Sequence, residues 1–221
     1  MVTLCWAAKG GSGTTVVAAS LALNSSHPSL LVDLDGELPA ALGLPEPDRP
    51  GVADWLASDA VADQLADLMI DVAPHRWLLP WRSGTSGAIR PGRPGDGDRW
   101  HDIGRWLHGW ADRWGCEITI DGGTGDPPPA LVEHADRVLL VTRPCYLSLR
   151  RAVRGPTRPT GVVLVDEPGR ALSRRDEEHA VGAPVEGTVS IHPEDARAFD
   201  AGLLATRLPR PIARELRLVA A

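Results

Sequence analysis

The chain has 221 residues, 43% of them apolar, and carries a formal charge of −6 from 23 basic and 29 acidic side chains. That length suits one globular domain with a sizeable core, and Gly plus Pro, at about a fifth of all positions, stay below the level at which disorder becomes the default. No run reaches the ~18–20 apolar residues of a bilayer-spanning helix, the scattered cysteines (Cys5, Cys116, Cys145) fit neither a disulfide framework nor a CxxC zinc site, and the mild acidity argues against a constitutive nucleic-acid coat.

Val2–Ala7 (VTLCWA) is a short apolar run that stops at Gly10-Gly11-Ser12-Gly13, and Thr14–Leu23 then reads as a helix of small and apolar residues. Lys9 followed by Val16–Leu23 imitates a signal peptide, but the glycine cluster separates charge from apolar run and no proper cleavage site follows, so a cytoplasmic protein is expected. Ser29–Leu34 predicts a second buried strand that closes on Asp33 and Asp35. Val52–Ile70 predicts a helix, with Val52, Trp55 and Leu56 and later Leu65, Leu68 and Met69 on one face. His75–Pro80 predicts a third strand. Residues 82–99, dominated by Gly, Pro, Arg and Ser, predict a long flexible surface loop carrying Arg82, Arg90, Arg93 and Arg99, either a mobile insertion or a lid or partner-binding segment.

Trp100–Trp114 predicts a helix whose Trp106, Trp110 and Trp114 recur at i+4; packing of these indoles into the core is expected, against a cofactor cage or a partner face. Glu117–Asp121 predicts the next strand, ending at Gly122-Gly123-Thr124-Gly125. Arg137–Arg143, Gly161–Asp166 and Val185–Ile191 predict further strands, and Tyr146–Arg154, Ser173–Val181, Pro193–Leu203 and Ile212–Leu218 predict helices. The alternation specifies an α/β fold: a single doubly wound, mostly parallel sheet with helices on both faces, residues 1–221 forming one domain without internal repeats.

A parallel sheet brings the carboxyl ends of its strands to one edge, where ligands bind. Three of those ends carry suitable chemistry. In Lys9-Gly10-Gly11-Ser12-Gly13-Thr14-Thr15 the glycines let backbone N–H groups curl around phosphate oxygens, and the following helix offers its positive end to the same anion. Thr15 stands where a phosphate-loop hydroxyl meets Mg²⁺, and Asp33, Asp35 and Asp121 supply carboxylates for the cation and for an attacking water. The competing reading of each aspartate is a loop or helix cap. A strict G-x-x-x-x-G-K-[ST] pattern fails, because Ala8 replaces the first glycine and Thr14 the lysine. Lys9 is the only lysine beside 22 arginines, a compact point charge where the chain otherwise uses a planar fork.

On these residues the chain resembles the deviant Walker A P-loop ATPases of the MinD/ParA superfamily, whose loop reads KGG-x-GK-[ST]. LLVDLDGELPAALGL resembles the acidic switch region of that family, ITIDGG its second switch, ADRVLLVTRP the next strand and VSIHPEDARAFDAGL a late helix. The resemblance implies ATP and Mg²⁺ as cofactors and a nucleotide-sandwich homodimer in which Lys9 reaches the partner's phosphates. Gly10, Gly11, Ser12, Gly13, Thr14 and Thr15 then bind the nucleotide, Thr15, Asp33 and Asp121 the metal, and Asp35 positions water. The loss of the loop lysine at Thr14 is similar to the CpaE/TadZ branch, which helps place Tad-type pili, and to actinobacterial septum-site proteins. It implies a positioning or regulatory protein, recruited through protein partners to a pole, septum or pilus assembly, with weak or no hydrolysis and only indirect membrane contact. Alternatives are a DNA-partition ParA-type ATPase, for which Arg150, Arg151 and Arg154 would meet nucleic acid, and a CobQ-like amide-forming enzyme, against which Thr14 weighs. Histidines lack H-x-x-x-H or H-E-x-x-H spacing, so a catalytic zinc is not expected.

Overall fold

Both faces of β1 (Val2–Ala7) are covered, with every residue buried, which is why this run lacks polar alternation. In the computed structural model the described residues are 1–82, 96–167, 169, 170, 172–190, 192, 197, 199, 201–217 and 219. β2 (Ser29–Asp33), β6 (Arg137–Thr142) and β7 (Gly161–Asp166) are mostly apolar runs of the same kind, β5 (Glu117–Thr124) is buried over Ile118–Asp121 although it carries Thr119 and Asp121, and β8 (Val185–Ser190) alternates at the sheet's edge. With β3 (Ile70–Ala73) and β4 (Arg76–Leu79) they form an eight-stranded sheet in the order β3-β4-β2-β5-β1-β6-β7-β8, parallel except for the β3–β4 pair. The expected α/β architecture is present.

The chain leaves β1 through α1 (Thr14–Asn24), crosses β5 to reach β2, and later returns to the other side of β1 as β6. The strand order therefore reverses beside β1, leaving a crevice at its carboxyl end. Successive residues of β1 feed two cores: Leu4 and Trp6 join Leu30, Ile118 and Ile120 on one face, whereas Cys5 packs with Val17, Leu31, Leu139 and Val163 on the other. α1 supplies the second core almost all round its surface, and α8 (Arg210–Glu215) seals that layer with Ile212.

The single helix expected over Val52–Ile70 is instead α3 (Val52–Leu56), a 3-10 helix (Ala62–Leu68) and the start of β3. Ser58 ends α3 locally, because both its N–H (3.0 Å) and its hydroxyl (2.8 Å) donate to the Trp55 carbonyl. The Trp55 indole donates to the Val61 carbonyl at 3.1 Å and holds the break open. Two short helices, α2 (Leu38–Leu42) and α5 (Pro129–His134), were not legible in the periodicity.

α4 (Asp96–Trp114) begins inside the expected 82–99 loop, of which residues 83–95 lie outside the described residues. Arg99 is thereby a helix residue rather than a loop charge. Its guanidinium lies 3.4 Å from the Trp55 ring centroid and donates to the carbonyls of Ala60 and Trp55. The indole row of α4 meets expectation in part: Trp106 and Trp110 are half-buried and pack against the core, and Trp114 does not. Trp100, Ile103, Leu107 and Ala111 form the buried stripe, and Trp106, Trp110 and Trp114 lie about one residue's rotation away, with Trp114 53% exposed. α6 (Tyr146–Arg154) and α7 (Arg174–Val181) match expectation closely. Most of the expected Pro193–Leu203 helix, together with Ile191 and Leu218, lies outside the described residues.

Candidate functional site

The carboxyl ends of β1, β2 and β5 meet as neighbours, and the register pairs Asp33 with Asp121 and Cys5 with Asp121. Three chain segments far apart in sequence thus converge. From β1 comes the glycine loop. Gly11 (φ 76°) and Gly13 (φ 92°) adopt left-handed backbone that turns successive N–H groups to one side of the loop, a conformation that other residues reach only with strain. The Ser12 hydroxyl donates to the Lys9 carbonyl at 2.7 Å and closes the turn.

Gly13 is also the cap of α1, and this helix start has neither a side-chain cap nor an acidic residue in its first turn. Its free N–H groups and positive dipole end are left to an external anion. Thr14 is buried, whereas Thr15 is partly accessible with its hydroxyl close enough to Asp121 to lower that carboxyl's pKa in part. Lys9 is half-buried and has no ion-pair partner among the described residues.

β2 delivers Asp33, whose Oδ1 accepts the N–H groups of Asp35 (3.1 Å) and Gly36 (2.8 Å). β5 delivers Asp121, whose Oδ1 accepts the Gly123 N–H at 3.0 Å. The capping reading of these aspartates is therefore correct for one oxygen of each. The second oxygen, Oδ2 in both, is buried without a hydrogen-bond partner. Such orphaned carboxylate oxygens are costly. Burial, with Asp121 adding like charge, pushes the Asp33 carboxyl up to about 7, against lowering by the backbone N–H bonds. Burial likewise pushes Asp121 up to about 6, with Asp35 and Glu37 adding to the rise. A cation relieves both penalties, so Asp33, Asp121 and the Thr15 hydroxyl fit a divalent metal as a donor set of hard oxygens.

Asp35 is exposed and rests against Gly123: a Cβ placed on that glycine would stand 2.4 Å from the Asp35 Cγ. Gly123 (φ 63°) is a site residue that sequence reasoning passed over, its signal being only the GG pair after Asp121. Gly123→Ala is expected to displace Asp35 and to cost about 1–3 kcal/mol, read as a lowered denaturation midpoint. An unchanged midpoint would show that Asp35 yields without cost. Cys145, which fits neither a disulfide framework nor a zinc site, lies at the start of α6. It stands at the N-cap position, and the backbone N–H groups of Ser148 and Leu147, with a smaller contribution from the charge of Lys9, hold its thiol below the usual range.

No protein-family model matches the chain, and no curated protein matches it in sequence. Solved structures do resemble it in fold. The MinC:MinD cell division protein complex of Aquifex aeolicus aligns at 19% identity with a TM-score of 0.78, over 99% of this chain and 93% of that one. The septum site-determining protein MinD of Pyrococcus horikoshii complexed with Mg-ADP aligns at 18% identity and 0.73, over 99% and 93% of the two chains. A ParA family ATPase from Chlorobium tepidum aligns at 19% identity and 0.72, over 99% and 98%. At these identities the likeness shows a shared fold.

Proposed function

We propose that the chain is an ATP-binding, dimer-forming positioning or regulatory protein of the MinD/ParA type, in the CpaE/TadZ and septum-site branch, with weak or no hydrolysis. The observation that carries this reading is the uncapped, glycine-led start of α1 lying beside two buried aspartates whose Oδ2 atoms have no partner. An anion and a cation are both called for at one strand edge, and a metal–nucleotide complex satisfies both.

In this reading residues 1–221 act as one nucleotide-binding domain. The N–H groups of Gly10 to Thr15 cradle the phosphates, Thr15, Asp33 and Asp121 hold Mg²⁺, and Asp35 orients water. Bound Mg²⁺ supplies charge neutralisation on the phosphate oxygens. The Mg-ADP complex of the Pyrococcus protein and the MinC:MinD complex of the Aquifex protein support a nucleotide and a protein partner by analogy of fold. No helix among the described residues is long and apolar enough to cross a membrane, and recruitment to a pole, septum or pilus through partners is part of the proposal.

Size-exclusion chromatography with light scattering is expected to show a monomer without ligand and a dimer with Mg-ATP. Isothermal titration without Mg²⁺-dependent heat from any nucleoside triphosphate would remove the proposal. Within the dimer, Lys9→Ala is expected to weaken self-association by about tenfold or more, and Lys9→Arg by less, because a charge facing a polyphosphate survives in the second variant although its broader fork fits the loop less well. Equal nucleotide-dependent dimerisation of the wild type and Lys9→Ala would make Lys9 an ordinary surface residue.

A further inference from the structure

On the sheet face opposite α1, a cavity of about 560 Å³ opens between the end of β1 and α6. Its lining includes Trp6, Asp126, Leu147, Arg150, Arg151 and Arg154. Ala8 and Gly125 border it where β1 and β5 run out, and the Gly125 N–H donates to the Ala7 carbonyl at 2.8 Å, so it abuts the glycine loop's strand without being part of the loop.

Two features of the lining point to a ligand. The first is charge. The guanidinium groups of Arg150, Arg151 and Arg154 have no ion pair or hydrogen bond among the described residues, although Arg137, Arg143, Arg170 and Arg174 each pair with a glutamate. Asp126 also lines the hollow, its Oδ1 accepting the Thr157 hydroxyl at 2.9 Å, and with no ion pair to the three arginines it leaves the lining with a net charge of about +2. All three arginines are exposed, so water and salt screen part of their mutual repulsion, and an anion seated in the hollow relieves the rest. The second is the Trp6 indole. Trp6 is 1% exposed and its Nε1–H has no hydrogen-bond partner, an unsatisfied donor in a residue that lines the same cavity.

We infer that this cavity is a second anion site, separate from the glycine loop, which takes a small phosphate-bearing ligand with at least two negative charges. The arginine forks match phosphate oxygens in pairs, and the Trp6 indole is part of the wall that the ligand meets. Leu147 and the Trp6 ring provide an apolar wall for an attached organic group, in a hollow of the size that small ligands occupy. Its concave form favours a small anion over a duplex, which needs arginines spread along a surface.

The test is an NMR titration with pyrophosphate, following the Trp6 indole N–H resonance, assigned by its loss in Trp6→Phe. Expected is a saturable shift in the wild type and in Gly13→Ala, whose strained loop is impaired, with affinity reduced about tenfold or more in Arg150→Gln/Arg151→Gln/Arg154→Gln. The use of Gly13→Ala separates this site from the nucleotide proposal, because failure of the loop leaves the indole response in place. An indole that does not move with pyrophosphate overturns the inference. So does a response to a glutamate-rich peptide or to duplex DNA without one to pyrophosphate, which would make the arginines a macromolecular contact.

Discussion

Thr14→Lys is expected to raise single-turnover phosphate release at saturating Mg-ATP by about 10² to 10³, the usual worth of one oriented donor to a developing anionic charge. The rest of the proposed machinery is assembled, since Asp33 and Asp121 meet at the strand edge and Asp35 rests against Gly123. What the loop lacks is a positive charge of its own on the transferring group. A unit charge ~4 Å from a phosphate charge in an effective dielectric near 20 is worth roughly 4 kcal/mol. Thr14 is only 6% exposed, so the lysine stem has to run along the concave side of the loop rather than into the space that the threonine fills. A thermal melt of the variant separates a misfolded loop from an inactive one. Asp35→Ala serves as the control for contaminating ATPase. Brisk wild-type turnover abolished by Asp35→Ala would overturn the weak-ATPase reading and favour an active partition-type motor.

Asp33→Asn is expected to stabilise the metal-free protein at pH 8 by about 2–4 kcal/mol while eliminating Mg²⁺-dependent nucleotide binding. The Asp33 carboxyl is raised from its ordinary 3.8 to about 7, with burial as the main cause. At pH values below the ordinary one, folded and unfolded chains both hold the proton, and Asp33 contributes no pH dependence. As pH climbs from about 4 towards 7 the unfolded chain ionises first, so the folded state loses stability, and above 7 the full cost of the buried carboxylate is paid. Asparagine keeps an oxygen for the N–H groups of Asp35 and Gly36 and carries no charge. Urea denaturation in EDTA at pH 5 and pH 8 therefore separates the two proteins most at the higher pH. Added Mg-ATP reverses the order by stabilising only the wild type. Equal midpoints at pH 8 would show that Asp33 is solvated in the metal-free protein.

The elements buried on both faces were the most legible. β1, β6 and β7 are near-continuous apolar runs, and a strand covered on both sides calls for such a run. α1 was legible for a related reason, as small apolar residues directly after a glycine loop. Around residues 52–70 the same helical spacing was misleading, because side chains satisfied backbone groups that a helix would have used. Ser58 and the Trp55 indole end α3, and the chain then turns into an antiparallel edge strand.

The candidate site divides along the same line. Residue types and order determined by themselves that a glycine loop stands between a strand and a helix, that acidic residues follow two other strands, and that the loop lysine is missing at Thr14. Those are local properties of the chain, set by backbone freedom and apolar period. Only the tertiary structure decided that Asp33 and Asp121 lie directly across from each other with their Oδ2 atoms unpartnered, that Asp35 leans on Gly123, and that Trp6 and three arginines of α6 share one hollow. Each of these depends on the register of strands distant in sequence and on which face of α6 meets the sheet. Both are settled by the packing of the whole core, because burial and pairing energies are summed over long-range contacts that no single segment contains.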